Sequence, residues 1–524
     1  MSIAFAAPIW YNVYITLVVC EKYIQITKKE SQQWTKQSLR DYCSQPRFYL
    51  CRAGGGNDPS VETTTSGSDE TTAPEEITRE NYPDSLGDVR FEGRTITIAY
   101  TAGDDTINYE VVGDDTGDIV SDAIYARNRY VEERLGVKIE FAPGTANVNK
   151  FMKDVRTVLT AGDDAYSIVV NSQYEMMPMA LEGFFHDLSD AKYLDYSKPW
   201  WATSYMEEVE WGGERYCLMG DISTIMLRSM SSVFMNKRVF ENAFGSVDDF
   251  YDIILDGKWT YDVMNKYVED AFQDLDANGS ANAGDILGLA TTQSAPTEHF
   301  AFSAGLRLSE RSKDGKIQLV SDQSRNVKIF EEMYKLFYNN PGSCVWTDPF
   351  AIDKEILQEF KNGNVLFYPI RTYAADNIRD MTDPFGVIPF PKLDEDQENY
   401  MALIHDGAHM FAIPLTRDDI DAECAVLEAM CAENYRKVTP AYYETTLKVK
   451  YTHDDASAKL IDIIHDNVRT DFIYANNYGI GSGGNLGTIS RTLMNKKSSD
   501  YMSLYASLKP QIEESLKTLN EKVK

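Results

Sequence analysis

The chain predicts an α/β fold: a mostly parallel β-sheet covered by helices on both faces. The first observation is a β-α-β-α-β succession that begins after Arg94, in which "TITIAY", "VKIEF" and "YSIVV" read as short apolar strands. Strands buried on both faces lose the in/out alternation of half-exposed ones, and such runs spaced by helices mark parallel sheets. The second is the apolar periodicity of 121–135 and 150–160, each followed by glycine, at Gly136 and at Gly162. Glycine past a helical run is the usual stop, because it adopts the left-handed conformation without steric cost. The third is size, since 524 residues at about 100–200 per domain exceed one core.

The same style continues along the chain. Thr260 is placed to cap a helix whose Met264, Tyr267, Val268, Ala271 and Phe272 recur at three-to-four spacing, and "DILGLATT" follows as a strand. Val327, Phe330, Tyr334 and Phe337 form the next helical stripe. In "KEILQEFKNGNVLFYPI" a helix stops at Gly363 and a strand enters at Val365, and "GAHMFAIP" is a further strand before a helix over 423–435. Residues 498–523 are helical by pattern, with Pro510 a kink or boundary.

Composition narrows the partners. Lys and Arg number 51 against 81 Asp and Glu, a formal charge of −30, with no basic run, so nucleic acid is excluded as a partner. The 32 Tyr, 23 Phe and 7 Trp exceed what a core of this size requires, which points to some ligand-facing rings. None of the seven cysteines forms a CxxC pair, and Cys424 and Cys431 fall on one helix face as small apolar residues.

Residues 1–53 carry seven basic and three acidic residues, the remainder 44 and 78, and the break falls at Cys51 in "LCRAGGGNDPSVETTTSGSDETTAPEE". The apolar run "IAFAAPIWYNVYITLVVC" has no basic residue ahead of it, and "FYL" precedes Cys51 where a lipoprotein leader has small residues. Two readings stay open: a membrane segment within residues 3–20, or an atypical or mis-assigned leader over 1–53 ahead of a lipid-anchored Cys51. Residues 54–91 are expected to be a disordered acidic linker, Val61, Ala73, Ile77, Tyr82, Leu86 and Val89 being nearly all they can bury.

Five stretches in order, "YLDYSKPWW", "GDISTIMLRSMSSVFMNKRVFE", "DGKWTYDVMNKYVEDAFQDLDANG", "GNVLFYPIRTYAADNIRDMTDPFGVIPFPKLDEDQENY" and "RKVTPAYYETTLKVKYTHDDAS", resemble the extracellular solute-binding proteins of family 1, the sugar-binding subunits of ABC importers. The resemblance spans about 92–520. It implies a two-lobed fold of the periplasmic-binding-protein type II with three hinge crossings, near 220–225, 366–371 and 405–412. Lobe 1 would hold 92–220 plus 370–404, and lobe 2 would hold 221–369 plus 405–524. It further implies capture of a carbohydrate at the outer face of the cell membrane by a monomer that delivers it to an ABC permease without catalysis. A secreted glycan-active enzyme and a ligand sensor for a membrane receptor are the alternatives; no GxSxG, HExxH, phosphate-loop or GxGxxG motif supports the enzyme.

Ligands of α/β proteins sit beyond the carboxyl ends of strands, which selects candidates. These are Asp104 after "TIAY", Asn171, Gln173 and Tyr174 at "YSIVV", and Asp221, Trp346, Tyr368, Arg371, His405 and Asp406. Rings suit the C–H faces of a sugar, and carboxylates, amides and guanidinium forks suit its hydroxyls. Trp200, Trp201 and Trp211 are further ring candidates, and Trp259 is expected in the core. Asp221 could instead cap a turn, and Arg371 could pair with Asp376 or Asp380. His405 and His409 lie in strand-like surroundings that argue against a metal pair.

"DLDANGSANAGD" fits an oxygen-ligand calcium loop, with Asp274, Asp276, Asn278, the Ser280 carbonyl and Asp285 as ligands and Gly279 at the turn. A strand follows, so the expectation is a structural Ca²⁺ clip.

Overall fold

A computed structural model describes residues 77–102, 110–444, 455–480 and 486–523. The expected leader, Cys51, residues 54–76 and Asp104 lie outside the described residues. No described helix is long and apolar enough to cross a membrane.

The first sheet is built from β1 (Thr95–Tyr100), β2 (Lys138–Pro143), β3 (Ile168–Ser172) and β12 (His409–Ala412) in the order β12-β3-β1-β2. β1 pairs in parallel with β2 and β3, whereas β12 runs antiparallel to β3. Ile96 and Ile98 are fully buried, as a strand covered on both faces requires. Asp118 caps the helix Ile119–Leu135 by accepting from the Ser121 amide at 2.9 Å, and Gly136 ends it at φ 69°. Asn147 caps Val148–Thr160 in the same way through the Lys150 amide.

The second sheet has the order β10-β4-β9-β5-β8, from β4 (Ser231–Asn236), β5 (Leu287–Thr292), β8 (Ser343–Trp346), β9 (Val365–Arg371) and β10 (Phe385–Ile388). β5 pairs in parallel with β8 and β9, while β4 runs antiparallel to both β9 and β10. A β6–β7 hairpin (Ser309–Arg311, Ile317–Leu319) and a short β11–β13 pair (Ala402–Leu403, Val468–Arg469) flank it. The helix Tyr261–Ala271 lies almost on the backbone of β5: a Cβ built on Gly288 would come within 2.0 Å of the Val268 carbonyl oxygen. Only glycine permits that approach.

Strand pairing corrects three expectations. Residues 385–388 join the second sheet and 409–412 the first, the reverse of the expected assignment of those segments. Residues 366–371 are no crossing, because β9 is hydrogen-bonded to β4 on one side and β5 on the other. Among the described residues the chain passes between lobes along 220–230 and along 404–409. A strand entering straight from the hinge runs away from it, which is why β4 and β12 oppose the parallel strands. These two crossings lie side by side, bridged at Leu218–Phe411 and Met230–Ile404.

Smaller differences have local causes. Residues 77–91 dock on the first lobe instead of continuing the linker: Leu86 is buried, Tyr82 packs edge-on to Trp200, and Asp84 pairs with Arg134 and Arg436. The few apolar residues of the linker are concentrated there. Thr260 occupies the cap position but makes no side-chain cap bond. Pro510 sits inside a continuous helix, Tyr501–Asn520. Trp259 is core as expected, its indole N–H donating to the Pro389 carbonyl at 3.0 Å.

Candidate functional site

The parallel strands end at Tyr100, Pro143 and Ser172 in the first lobe and at Thr292, Trp346 and Arg371 in the second. Tyr174 lies two residues past β3, and its amide donates to the Asp406 carbonyl of the second crossing at 3.2 Å. Beside it, His405 Nδ1 accepts the Gly407 amide at 3.0 Å, so that nitrogen carries no proton toward the Asp406 carboxylate 3.2 Å away. Burial, reinforced by Arg371, His299 and Arg491, holds His405 well below the usual histidine range. Burial also raises the Asp406 carboxyl, against the pull of Arg491 and Arg371.

The second lobe supplies the rest of the wall. Arg371 is the only residue of β9 that is not buried, and its guanidinium lies 4.5 Å over the Tyr373 ring. Asp376 and Asp380 do not pair with it: Asp376 holds Arg228 and Arg379, and Asp380 holds Lys361. The helix Ala295–Ser303 carries Glu298, fully buried, whose Oε2 accepts from Arg491 Nη2 at 2.7 Å while Arg491 keeps 36% of its side chain exposed. Burial pushes Glu298 up to about 7 against the Arg491 charge. For Arg491, burial acts downward and Glu298 outweighs it, so the guanidinium stays charged. Tyr478, 64% exposed, meets Tyr174 of the opposite lobe with ring centroids 5.6 Å apart.

Of the expected ligand contacts, Tyr174, Arg371, His405 and Asp406 are therefore brought together. Three others are structural. Asn171 is buried and donates to Thr101 Oγ1 at 2.9 Å. Gln173 is buried with its amide on the Ala408 carbonyl and its side chain accepting from Tyr205. Tyr368 is buried between Phe234 and Phe360, its hydroxyl donating to the Ile352 carbonyl at 2.7 Å. Trp346 is half-buried at the end of β8, opposite Thr292 of β5. Trp200, Trp201 and Trp211 are all buried, Trp201 donating to Glu428. Glu298 and His299 were missed although they follow a strand end; Arg491 and Tyr478 arrive from the carboxyl-terminal segment, whose return no spacing reveals.

The description "bacterial extracellular solute-binding protein" matches residues 126–421, more than half of the chain. The chain belongs to that family. No curated protein matches the sequence. Among solved structures, a sugar transporter from Rhizobium etli in an open conformation is similar at TM-score 0.51 and 14% identity, over 82% of this chain and 99% of that one. The GacH receptor of Streptomyces glaucescens, solved unliganded and with acarbose, gives 0.50 and 13% over 83% and 100%. UgpB from Mycobacterium tuberculosis, solved with glycerophosphocholine, gives 0.50 and 13% over 80% and 98%. At these identities the likeness establishes the two-lobed type II fold.

In this solute-binding protein Asp221 belongs to the hinge. It is fully buried in the first crossing, where Oδ1 meets His465 Nε2 at 2.7 Å, Oδ2 accepts from Thr439 Oγ1 at 2.9 Å, and Arg79 lies at 3.4 Å. Thr439 opens the helix Thr439–Tyr442 and His465 lies in the last turn of the helix Asp455–Asp466, so one carboxylate ties the first crossing to both helices. Glu110 anchors the first crossing from the first lobe, accepting from Ser223, Thr224 and the Ile225 amide.

Asp274, Asp276 and Asp285 place one carboxylate oxygen each within 4.8 Å of one another. Gly279 takes φ 82°, as the sixth position of a calcium loop demands.

Proposed function

We propose that this solute-binding protein captures a carbohydrate between its lobes and hands it unaltered to an ABC permease. The observation that carries this reading is the meeting, at facing strand ends, of Tyr174 and Tyr478 rings with the Arg371 and Arg491 forks and the Asp406 carboxylate. Rings cover apolar sugar faces, and charged forks and carboxylates pair with hydroxyls more strongly than neutral groups do. Hinge closure then removes both partners from water. Work as a monomer at the outer face of the membrane, with Cys51 as a lipid anchor, completes the reading; the acidic Gly/Ser/Thr stretch after Cys51 supports it.

A thermal-shift screen against mono- and oligosaccharides, with chromatography of the same mixtures, tests it. A bound sugar at 100-fold its Kd stabilises by about 2.7 kcal/mol. Stabilisation with recovery of intact sugar is expected. Cleaved product, or no stabilising sugar, overturns the reading.

The loop of Asp274, Asp276, Asn278, Ser280 and Asp285 is proposed to hold Ca²⁺ as a clip between the helix Tyr261–Ala271 and β5. Its support is the convergence of three carboxylates with alternating side chains on one turn. Chelation is expected to lower the melting temperature and added calcium to restore it, with Asp276→Asn abolishing the response. Indifference of the wild type to chelator and calcium alike counts against the clip.

A further inference from the structure

A pocket of about 250 Å³ lies beside the hinge, between the helix Thr203–Val209 of the first lobe and the second lobe, and shares no lining residue with the strand-end site. At ~30 Å³ per water it has room for roughly eight waters, or one small organic molecule. Its charged and hydroxyl lining is Glu208, Arg307, Arg325, Glu398, Arg469, Thr470 and Asp471, with Glu398 exposed at the rim.

Its charges are unusual for this chain. Among the described arginines, only Arg127, Arg307, Arg371 and Arg469 have no carboxylate in salt-bridge reach. Arg127 is buried on carbonyls and amide side chains, and Arg371 is in the cleft. The other two face this one pocket, although acidic residues greatly outnumber basic ones. Glu208 faces them from the opposite lobe and likewise makes no ion pair or side-chain hydrogen bond among the described residues. Burial raises its carboxyl, Asp471 adds to that, and Arg307 and Arg469 act against it across the pocket.

Two further observations separate this arrangement from a solvated charge patch. Thr470 is only 7% exposed, yet its hydroxyl finds no hydrogen-bond partner. Asp471, by contrast, is fully engaged by the Leu308, Ser309 and Ile473 amides and the Ser309 hydroxyl, and is not available to the arginines. The two lobes also meet here: Arg311 Nη2 donates to the Glu210 carbonyl at 2.8 Å, and the Gly212 amide to the Gly315 carbonyl at 3.3 Å.

We infer that this pocket binds a small zwitterion of the size and charge pattern of a free α-amino acid, independently of the interlobe cleft. Its carboxylate would lie between Arg307 and Arg469, where a guanidinium fork matches it bidentately, and its ammonium would face Glu208. A purely anionic guest would leave Glu208 repelled, and a neutral one would leave all three charges unanswered.

Titration calorimetry of the full chain against single α-amino acids, each paired with its amide and its N-acetyl derivative, tests this. At least one free amino acid is expected to bind saturably, with affinity falling 10-fold or more for both derivatives. Arg469→Gln and Glu208→Gln are expected to lower it equally without shifting the melting temperature, and Arg307→Gln provides a second guanidinium test. Arg371→Gln is expected to leave it unchanged. The inference is overturned if no amino acid binds, if binding survives in both Arg469→Gln and Glu208→Gln, or if Arg371→Gln abolishes it.

Discussion

Replacing Asp221 by alanine is expected to destabilise the protein by about 3–5 kcal/mol, the cost of leaving one partner of a buried ion pair uncompensated. Asp221 is fully buried, and His465 keeps only 10% of its side chain exposed, so little water can replace the lost carboxylate. The same change frees the Thr439 hydroxyl and removes the charge facing Arg79. Denaturant unfolding monitored by fluorescence measures the loss, and a change below about 1 kcal/mol would show that the crossings do not depend on this carboxylate.

The pair also fixes how stability varies with pH. Burial lowers His465, but Asp221 and then Asp466 outweigh it and push the imidazole up to about 10, from an ordinary 6.5. A raised value means that the folded state holds a proton the unfolded state has released. The contribution is therefore complete below about pH 6.5 and is lost as pH rises through 10. Glu428, pushed up to about 7 by burial despite the Trp201 indole and the Asp195 amide, has the same sign in a lower window, from 4.5 to 7. On the acid side Asp84 acts oppositely: the Arg134 guanidinium overcomes burial and holds its carboxyl at about 2, so its contribution is lost as pH falls below the ordinary 3.8. Melting temperatures are thus expected to peak in mildly acidic solution and fall steadily toward pH 10. In Asp221→Ala the limb between 6.5 and 10 flattens.

The elements that read clearly in the sequence are those whose signal is local. β1, β2 and β3 with their two helices follow from apolar runs and from Gly136 and Gly162, each of which acts within a turn of itself. The lobe membership of 385–388 and 409–412 did not read correctly, because it depends on which strand each meets across more than a hundred residues. Asp221 and Tyr368 show the same limit at the site. A polar or aromatic residue next to a strand end looks the same in sequence whether it faces a ligand or closes a hinge; only the His465 contact in one case and the Ile352 carbonyl in the other decide. The turn that gathers Asp274, Asp276 and Asp285 and the four residues that converge, Tyr174, Arg371, His405 and Asp406, were legible because strand ends and turn glycines position them directly.

Arg371→Ala is expected to weaken binding of whichever sugar stabilises the wild type by roughly 10- to 150-fold, the equivalent of about 1.5–3 kcal/mol for a hydrogen bond from a charged group. Its effect on unfolding is expected to stay within about 0.5 kcal/mol. That split follows from its surroundings: Arg371 has no carboxylate within salt-bridge reach among the described residues and lies over the Tyr373 ring, so removing it breaks no ion pair. Arg491→Ala provides the contrast. It strips the partner from fully buried Glu298, so both affinity and stability are expected to fall together. Lysine at 371 keeps the charge but not the planar fork and is expected to restore only part of the affinity. If calorimetry finds the sugar bound as tightly to Arg371→Ala as to wild type, the ligand does not reach the end of β9, and the carbohydrate must be sought elsewhere between the lobes.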